Sequence, residues 1–301
     1  MTERTDTRTG APSRSDGDQL RILTRGMRTL LMIAGGLVFL AGLQLFVFPE
    51  RTDEFFAWTI DVPLTAAFLG AGYWASVAFE WLAARENLWV NARIAVPSVF
   101  VFTSLTLVAT LLHLDLFHLE SSLDLMTRAV TWAWIAIYTI VPVLMVVLFV
   151  RQMREPGDDP ARSMALPRSL VLVLYVHAIL LPAMGAYLFV APASAASVWP
   201  WPLTPLTGRA VGAWVLSLGV AAAHALWEND LKRVRVAAVG YATIGVLQGV
   251  ALARFPDAVA WSEPQSVVYV GVLASMVAVG VLALWLGARD PVEDREKTPE
   301  K

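Results

Sequence analysis

The chain contains 301 residues, of which 57% are hydrophobic and only 16% are charged, and its formal net charge is −2. This composition is too apolar for an ordinary soluble domain and indicates an integral membrane protein. The chain contains no cysteine, which excludes disulfides, thiol redox chemistry and metal or iron–sulfur centres held by thiolates.

Segments of membrane-spanning length follow one another along the chain. Residues 1–20 are rich in Thr, Ser, Asp and Arg, so we expect a disordered cytoplasmic tail. A bilayer core needs about 20 apolar residues when it is crossed as a helix. Eight runs approach this length: 29–48, 64–84, 94–112, 129–150, 169–190, 206–226, 234–253 and 267–287. Helices are expected because lipid cannot satisfy backbone N–H and C=O groups, and the residue alternation of a membrane barrel is absent.

Short motifs recur at a nearly constant offset. Residues 42–49 read GLQLFVFP, and residues 185–192 read GAYLFVAP, 143 residues later. After the following loop the offset is 142 residues. Three further sets recur there: Pro63, Leu64 and Thr65 as Pro205, Leu206 and Thr207, Gly70 and Ala71 as Gly212 and Ala213, and Glu86, Asn87 and Arg93 as Glu228, Asn229 and Arg235. We therefore predict an internal duplication of a four-span unit. Because four is an even number, both copies cross the membrane in the same direction.

The distribution of basic residues predicts the topology. We assign residues 21–150 to the first repeat, 151–167 to a cytoplasmic linker that contains the helix-stopping sequence EPGDDP, 168–288 to the second repeat and 289–301 to a cytoplasmic tail. If both termini share one side, 19 of the 23 basic residues lie there, and the positive-inside rule makes that side cytoplasmic. The predicted fold is all-α, with eight transmembrane helices in two parallel four-helix repeats in the cell (inner) membrane.

One pattern in the sequence resembles a known family. A span that ends L-F-x-x-P, an aromatic outer loop, and P-L-T-x-x-x-x-G-A at the start of the next span resemble the four-helix membrane proteins of the DoxX-like type. The resemblance covers roughly residues 25–150 and again 168–287. The chain is also similar to Ala- and Arg-rich multispan proteins of actinobacteria. DoxX-like proteins are associated with respiratory and redox membranes, but the absence of cysteine argues against a thiol-linked role, and no functional residue is carried over.

Small residues and prolines mark several spans. Two GxxxG pairs, Gly208 with Gly212 and Gly245 with Gly249, predict close helix packing; a smooth wall for a sliding substrate is the alternative. Two prolines lie near the middle of spans four and five, and they are not repeated between the copies: Pro142 and Pro182. They predict kinks, and the alternative is that the carbonyls which they free coordinate an ion or a substrate.

Glu80 is a functional candidate because burying a charge in lipid costs several kcal/mol. It lies in the second span towards the cytoplasm, and its counterpart in the second copy is Ala222. The interpretation that we favour is that Glu80 reaches the interface or pairs with Arg85 or His224.

Two arginines at the outer ends of spans six and seven are a second candidate. Arg209 and Arg254 could snorkel to the headgroups or pair with Asp257 or Asp61. Alternatively, the two guanidinium groups form an outward-facing anion site.

His177 and Gln248 are polar residues at mid-span. His177 lacks a second mid-membrane ligand of the kind that haem needs, so no cofactor is predicted. Gln248 is expected to form an interhelical hydrogen bond, and both residues remain candidate ligand contacts. A loop with the pattern H-x-D-x-x-H-x-E, which starts at His113, is a weak metal motif; we predict no metal site and no catalytic residues.

Three functions are compatible with these features. The one that we favour is transport or binding of a small or lipid-like molecule between the two halves. The second is a non-catalytic membrane scaffold or accessory subunit, and the third is a quinone- or lipid-linked membrane enzyme. The expected surroundings are the lipid bilayer. No nucleic-acid partner is expected, because the basic residues flank spans rather than form a patch, and no protein partner is indicated.

Overall fold

The computed structural model describes residues 19–289 as an all-helical chain, with no β-strand among them. Eight long helices follow one another: α1 (Arg25–Gly42), α2 (Pro63–Arg85), α3 (Ala95–Leu112), α4 (Leu125–Met153), α5 (Arg168–Val190), α6 (Pro205–Glu228), α7 (Arg235–Arg254) and α8 (Pro264–Gly287). Helix α1 continues as a π-helical turn over Leu43–Val47. Residues 1–18 and 290–301 lie outside the described residues, and they contain nearly all of the two predicted tails.

Seven of the helices within residues 19–289 are long and apolar enough to cross a membrane, which confirms the multi-pass membrane class. Helix α2 is the exception to the prediction of eight spans, although it has 23 residues. It carries Gly70, Tyr73 and Glu80, and it packs against α1 and α7 with further contacts to α3 and α6. A helix that is enclosed by other helices can carry small and polar residues that a lipid-facing helix cannot.

The connections between the helices gather at two ends of the bundle. We call one of them the basic end; it contains residues 19–24, 86–94, 154–167 and 229–234. The chain is extended just before α1, and the Leu23 N–H attaches this segment to the α2–α3 connection by donating to the Asn87 carbonyl at 2.9 Å. The Thr24 N–H donates to the side chain of Gln152 at 2.8 Å.

We call the opposite end the aromatic end; it contains the loops 48–62, 113–124, 191–204 and 255–263. The rings of Trp58 and Phe117 form a tilted contact there with centroids 5.2 Å apart, and those of Trp199 and Trp201 pack edge to face at 5.1 Å. The tryptophans are buried against the helices. The aromatic end thus contains two compact aromatic clusters.

The helices pack in pairs. Helix α1 packs on α2, and α5 packs on α6. Helix α3 contacts α4, and α7 contacts α8. The two predicted repeats meet through α2 against α7 and through α3 against α6. By contrast, α1 with α4 and α5 with α8 have only a few contacts, so each set of four helices is loosely closed on one flank.

Glycines allow the closest helix approaches. A Cβ atom at Gly212 would lie 2.7 Å from the Gly185 carbonyl oxygen and 2.9 Å from the Phe189 nitrogen. A Cβ atom at Gly70 would lie 2.5 Å from the Phe46 nitrogen. The same type of backbone contact therefore joins α2 to the end of α1 and α6 to the end of α5.

The other predicted packing glycines differ in how closely neighbouring atoms approach them. A Cβ atom at Gly245 would lie 2.6 Å from Val277, and one at Gly208 would lie 3.1 Å from Pro192. Gly249 faces open space, so the structure gives it no packing role.

Both mid-span prolines lie inside helices that continue past them. A Cβ atom at Gly219 of α6 would lie 2.2 Å from the ring of Pro182. The ring of Pro182 therefore packs directly on the backbone of α6. Pro142 is buried in α4, four residues after Tyr138.

We expect Gly212→Leu to impair folding, because the new side chain would overlap the backbone of α5. Overpacking of this kind typically costs about 1–3 kcal/mol or more. The thermal unfolding temperature and the yield of folded protein in detergent measure the effect. Gly249→Leu is the matched control, since the open space beside Gly249 leaves its stability near that of the natural chain. Equal stability of the two variants would show that α5 and α6 do not depend on this contact.

Candidate functional site

A buried ionic cluster joins the two halves of the chain at the basic end. Its centre is Glu228, the last residue of α6, whose side chain is fully buried. Arg93 binds both carboxylate oxygens, with its Nη2 2.9 Å from Oε2. Arg233 donates to the same carboxylate at 3.2 Å, and the His224 ring lies 3.3 Å from it. Arg93 also forms an ion pair with Asp159 of the linker, so one arginine holds three segments together.

The surroundings of Arg93 keep it charged. Burial lowers the pKa of Arg93, but its hydrogen bonds with Glu228 and Asp159 raise the pKa by more, and the net pKa lies above the ordinary value of arginine. Arg93 is therefore charged at every physiological pH.

Asp230 attaches the linker to the α6–α7 turn. Burial raises the pKa of Asp230, but backbone hydrogen bonds to its carboxylate lower it by more, so the net pKa lies below the usual range. The donors are four N–H groups, those of Ser163, Met164, Lys232 and Arg233. The predicted linker is thus an ordered segment between α4 and α5 rather than a loose tether.

The partners of the ionic cluster belong to the motif that recurs in the sequence. Arg235 corresponds to Arg93, and Glu86 corresponds to Glu228. Nη1 of Arg235 lies 3.8 Å from Glu86. Each half therefore contributes an arginine to the glutamate of the other half. The side chains of Arg93 and Glu228 are 12% and 0% exposed, whereas that of Arg235 is 60% exposed, so only the first pair is shielded from solvent.

An apolar cavity lies near the aromatic end, behind the loosely closed flank between α5 and α8. Its volume is about 560 Å³. Its walls come from α5, α6, α7 and α8, together with Phe68 of α2 and the loop around Trp199. Leu180, Tyr187 and Val268 line it and are exposed on the outer surface of the bundle. We call this space the aromatic-end cavity. It opens on the outer surface of the helix bundle, which is the surface that faces lipid in a membrane protein.

A few polar groups converge on the aromatic-end cavity. Gln248 of α7 is 1% exposed and donates to the Phe68 carbonyl at 2.9 Å. Tyr269 of α8 donates to the Gln248 side chain at 3.2 Å, and Gln265 also lines the space. An apolar wall with a small number of fixed polar groups is the usual construction of a small-molecule site.

A second, smaller space lies between the halves, and we call it the central cavity. Its volume is about 90 Å³, and its walls come from α1, α2, α3, α4, α6 and α7. Glu80 lines it and is 2% exposed. The hydrogen bond between Tyr73 and Tyr138, 2.7 Å long, is buried beside it. The two cavities share two wall residues, Leu218 and Ile244.

The structure places Glu80 differently from the interpretation that we favoured. Its Oε2 atom is buried and has no hydrogen-bond partner among the described residues. His224 binds Glu228 instead, and Arg85 is exposed at the end of the helix. The pairing with Arg85 or His224 is absent because the Glu80 side chain lines the central cavity, whereas the His224 ring is directed to Glu228 and Arg85 to solvent.

Arg209 and Arg254 bind different elements. Arg209 donates to Nε2 of His113 at 2.7 Å. Arg254 donates to the Phe46 carbonyl and lies 5.2 Å from the centroid of the Phe46 ring. Burial and the neighbouring Arg209 guanidinium lower the pKa of His113, although Asp115 opposes the effect. The His113 ring is therefore neutral and accepts the hydrogen bond.

His177 is explained by packing. Its Nε2 atom lies 2.8 Å from the Ser275 hydroxyl of α8, and its ring lies 5.8 Å from that of Tyr241. This hydrogen bond is a polar link across the loosely closed flank of α5 and α8. Within residues 19–289, no cluster of three or more His, Cys, Asp or Glu side chains could hold a metal ion.

Sequence reasoning missed the tyrosine pair and the aromatic wall of the central cavity. Tyr73, Phe102, Tyr138 and Trp214 lie on four different helices, and the rings of Phe102 and Trp214 are 3.9 Å apart. No spacing within one helix could have shown that they meet. The ionic cluster had a signal in the sequence, the repeated Glu and Arg, but that signal served only to align the repeats.

Comparisons of the chain with protein-family models, with characterised proteins and with solved structures find no match.

We expect Arg93→Ala to destabilise the protein much more than Arg235→Ala. Removing Arg93 leaves the buried carboxylate of Glu228 with fewer partners, and breaking a buried pair costs about 3–5 kcal/mol. The exposed pair of Arg235 contributes about 0–1 kcal/mol. Unfolding of the two variants in detergent with increasing denaturant measures the difference. A similar loss in both would show that burial of the first pair carries no extra stability.

Proposed function

We propose that this chain is an eight-span membrane protein made of two parallel four-helix repeats, and that it binds a lipid-like small molecule in the aromatic-end cavity. The eighth span of the proposal is α2. Its 23 residues would rise about 35 Å at 1.5 Å per residue, which is enough for a hydrocarbon core of about 30 Å. Enclosure by α1, α3, α6 and α7 accounts for its lower hydropathy.

The packing pattern supports the proposed duplication. When α1–α4 are matched in order to α5–α8, the packed pair α1–α2 corresponds to the pair α5–α6, and the pair α3–α4 corresponds to α7–α8. The contact between α2 and α7 likewise corresponds to the contact between α6 and α3. The glycine contacts of Gly70 and Gly212 and the reciprocal Arg–Glu pairs follow the same rule. The proposed relation to DoxX-like four-helix proteins rests on these same repeated units.

The basic end is proposed to be cytoplasmic. Twelve of the 16 arginines of residues 19–289 lie in its loops or within about one turn of the helix ends on that side. The aromatic end then lies at the outer surface, where the half-exposed Trp261 suits the headgroup region. In this orientation the aromatic-end cavity opens into the outer half of the bilayer.

The observation that carries the binding proposal is the aromatic-end cavity itself. A space of about 560 Å³ falls in the range of about 300–1,000 Å³ that small-molecule sites occupy. Its apolar walls and its opening between α5 and α8 suit a molecule that arrives through the lipid. Gln248 and Tyr269 offer an amide and a hydroxyl to a polar group of that molecule.

The corresponding positions of the first repeat carry larger side chains, so the helix packing alone does not require a cavity at this place. In the aligned positions of the first repeat, Val215 and Ile244 are replaced by Tyr73 and Phe102, 142 residues earlier. When the starts of α4 and α8 are aligned, Leu273 corresponds to Trp134. The three aromatic rings pack together in the first repeat. Three smaller aliphatic residues leave the space open in the second.

We expect native mass spectrometry in lipid nanodiscs to show one lipid-like molecule retained per chain. Ile244→Phe, alone or together with Val215→Tyr and Leu273→Trp, gives the second repeat the rings of the first, so retention should fall at least tenfold. Val246→Phe is the matched control, because Val246 is 54% exposed on the outer face of the same helix and should not change retention.

Two outcomes would contradict the binding proposal. The first is an unliganded mass of the natural chain in every lipid composition tested. The second is retention that the filled cavity leaves unchanged. An unliganded mass together with a reproducibly co-purifying protein would favour the alternative function, a non-catalytic scaffold or accessory subunit.

A further inference from the structure

The central cavity contains a carboxylate without a counter-charge. Glu80 is 2% exposed, and its Oε2 atom has no hydrogen-bond partner within the described part of the chain. Of the side chains that line the cavity, Glu80 alone has a carboxyl group, and no Lys, Arg or His is among them. It lies five positions before Arg85, the last residue of α2, and its burial places the carboxyl group inside the bundle rather than at its surface.

The basic side chains packed at the nearby end of the bundle are engaged elsewhere. Arg93 and Arg233 bind Glu228, and Arg28 donates to the carbonyls of Ala84 and Glu86 at 2.9 and 3.0 Å. A buried charge that lacks a partner costs several kcal/mol. Glu80 therefore carries its charge only beside a positively charged occupant, and the cavity next to it has room for one.

Aromatic rings form much of the wall around this carboxylate. Phe79, Phe102, Tyr138, Trp214 and Tyr241 all line the central cavity. An ammonium group is attracted to the faces of such rings, and aromatic enclosures are the usual sites for substituted ammonium ligands. A carboxylate within an aromatic enclosure favours an organic cation over a small metal ion, which prefers several oxygen ligands.

Hydroxyl groups complete the lining. The hydroxyls of Ser98 and Ser217 donate to backbone carbonyls of their own helices, so their oxygens remain free to accept a hydrogen bond. The volume of about 90 Å³ suits a headgroup rather than a whole lipid-like molecule. Ala34, Leu37 and Ile137, on the flank between α1 and α4, line the cavity and are partly exposed, which gives such a group a route of entry.

We propose that the central cavity binds an organic cation, a substituted ammonium group that forms an ion pair with Glu80 inside the aromatic wall. This site goes beyond the proposed function, because it uses a different cavity and requires no occupant of the aromatic-end cavity. The ammonium group could come from a free amine or from a lipid headgroup, and both offer the same chemistry to Glu80.

Calorimetric titration of tetramethylammonium chloride into the full chain tests the proposal. The protein is held in nanodiscs of phosphatidylglycerol, which carries no ammonium group. We expect saturable binding to the natural chain and at least tenfold weaker binding to Glu80→Gln, which keeps the shape of the side chain. Glu263→Gln is the matched control, because Glu263 is exposed at the aromatic end, and it should bind like the natural chain.

Two further measurements sharpen the result. Choline should bind, whereas 3,3-dimethyl-1-butanol, its neutral isostere, should not. Phe79→Leu, which removes one ring and keeps an apolar side chain, should weaken binding severalfold, and this variant serves if Glu80→Gln folds poorly. In nanodiscs that contain phosphatidylcholine, competition with tetramethylammonium would identify a lipid headgroup as the source, and an unchanged dissociation constant would identify a free amine.

The proposal is overturned if the natural chain shows no saturable binding of tetramethylammonium or choline at concentrations up to about 100 mM. It is also overturned if Glu80→Gln binds as tightly as the natural chain, or if the neutral isostere binds as well as choline. The retention of a molecule in the aromatic-end cavity is measured separately, with the Ile244→Phe variant, so failure of one proposal leaves the other standing.

Discussion

The carboxylate of Glu228 organises the basic end of the bundle. A fully buried charge is stable only if its hydrogen-bonding capacity and its charge are both satisfied. Here that requirement brings together Arg93 from the turn before α3, Arg233 from the turn before α7 and His224 from α6 itself. Because Arg93 also binds Asp159, the linker is fixed against both halves, and with it the point at which α5 begins.

This arrangement explains how two loosely closed sets of four helices form one bundle. The pairs α1–α4 and α5–α8 have few contacts, so neither set is sealed along its own flank. The stable interface runs instead through α2 with α7 and α3 with α6, and the ionic cluster closes it at the basic end. The small residues of α2 and α6 allow the approach, since lipid provides no hydrophobic drive for helix association. Both cavities lie behind the flanks that this arrangement leaves loosely closed.

The sequence predicted the helices well because apolar length is a local property. It also predicted that Gln248 would join helices and that Gly212 would pack closely, since both follow from a residue type at mid-span. It misjudged Glu80 and could not locate the cavities. The reason is that Phe102, Trp134 and Tyr138 lie on different helices, and whether such rings fill a space or line one depends on the packing of the whole bundle. The open space in the second half is visible in the sequence only after the repeats are aligned position by position.

Under the proposed duplication, the two halves have diverged in complementary ways. In the first half the aligned positions carry aromatic rings, which fill the space near the aromatic end and extend to the wall of the central cavity around Glu80. In the second half the same positions are aliphatic, and the cavity near the aromatic end is open. Leu218 and Ile244 separate the two spaces, and each lies close to the midpoint of its helix. The two proposed sites differ in chemistry, since one is apolar and the other contains a carboxyl group, and they lie on either side of a wall that includes these two side chains. Duplication allows one structural position to be filled by a ring in one copy and left open in the other. A molecule with an apolar body and a cationic end would find an apolar environment in the aromatic-end cavity and a carboxyl group in the central cavity.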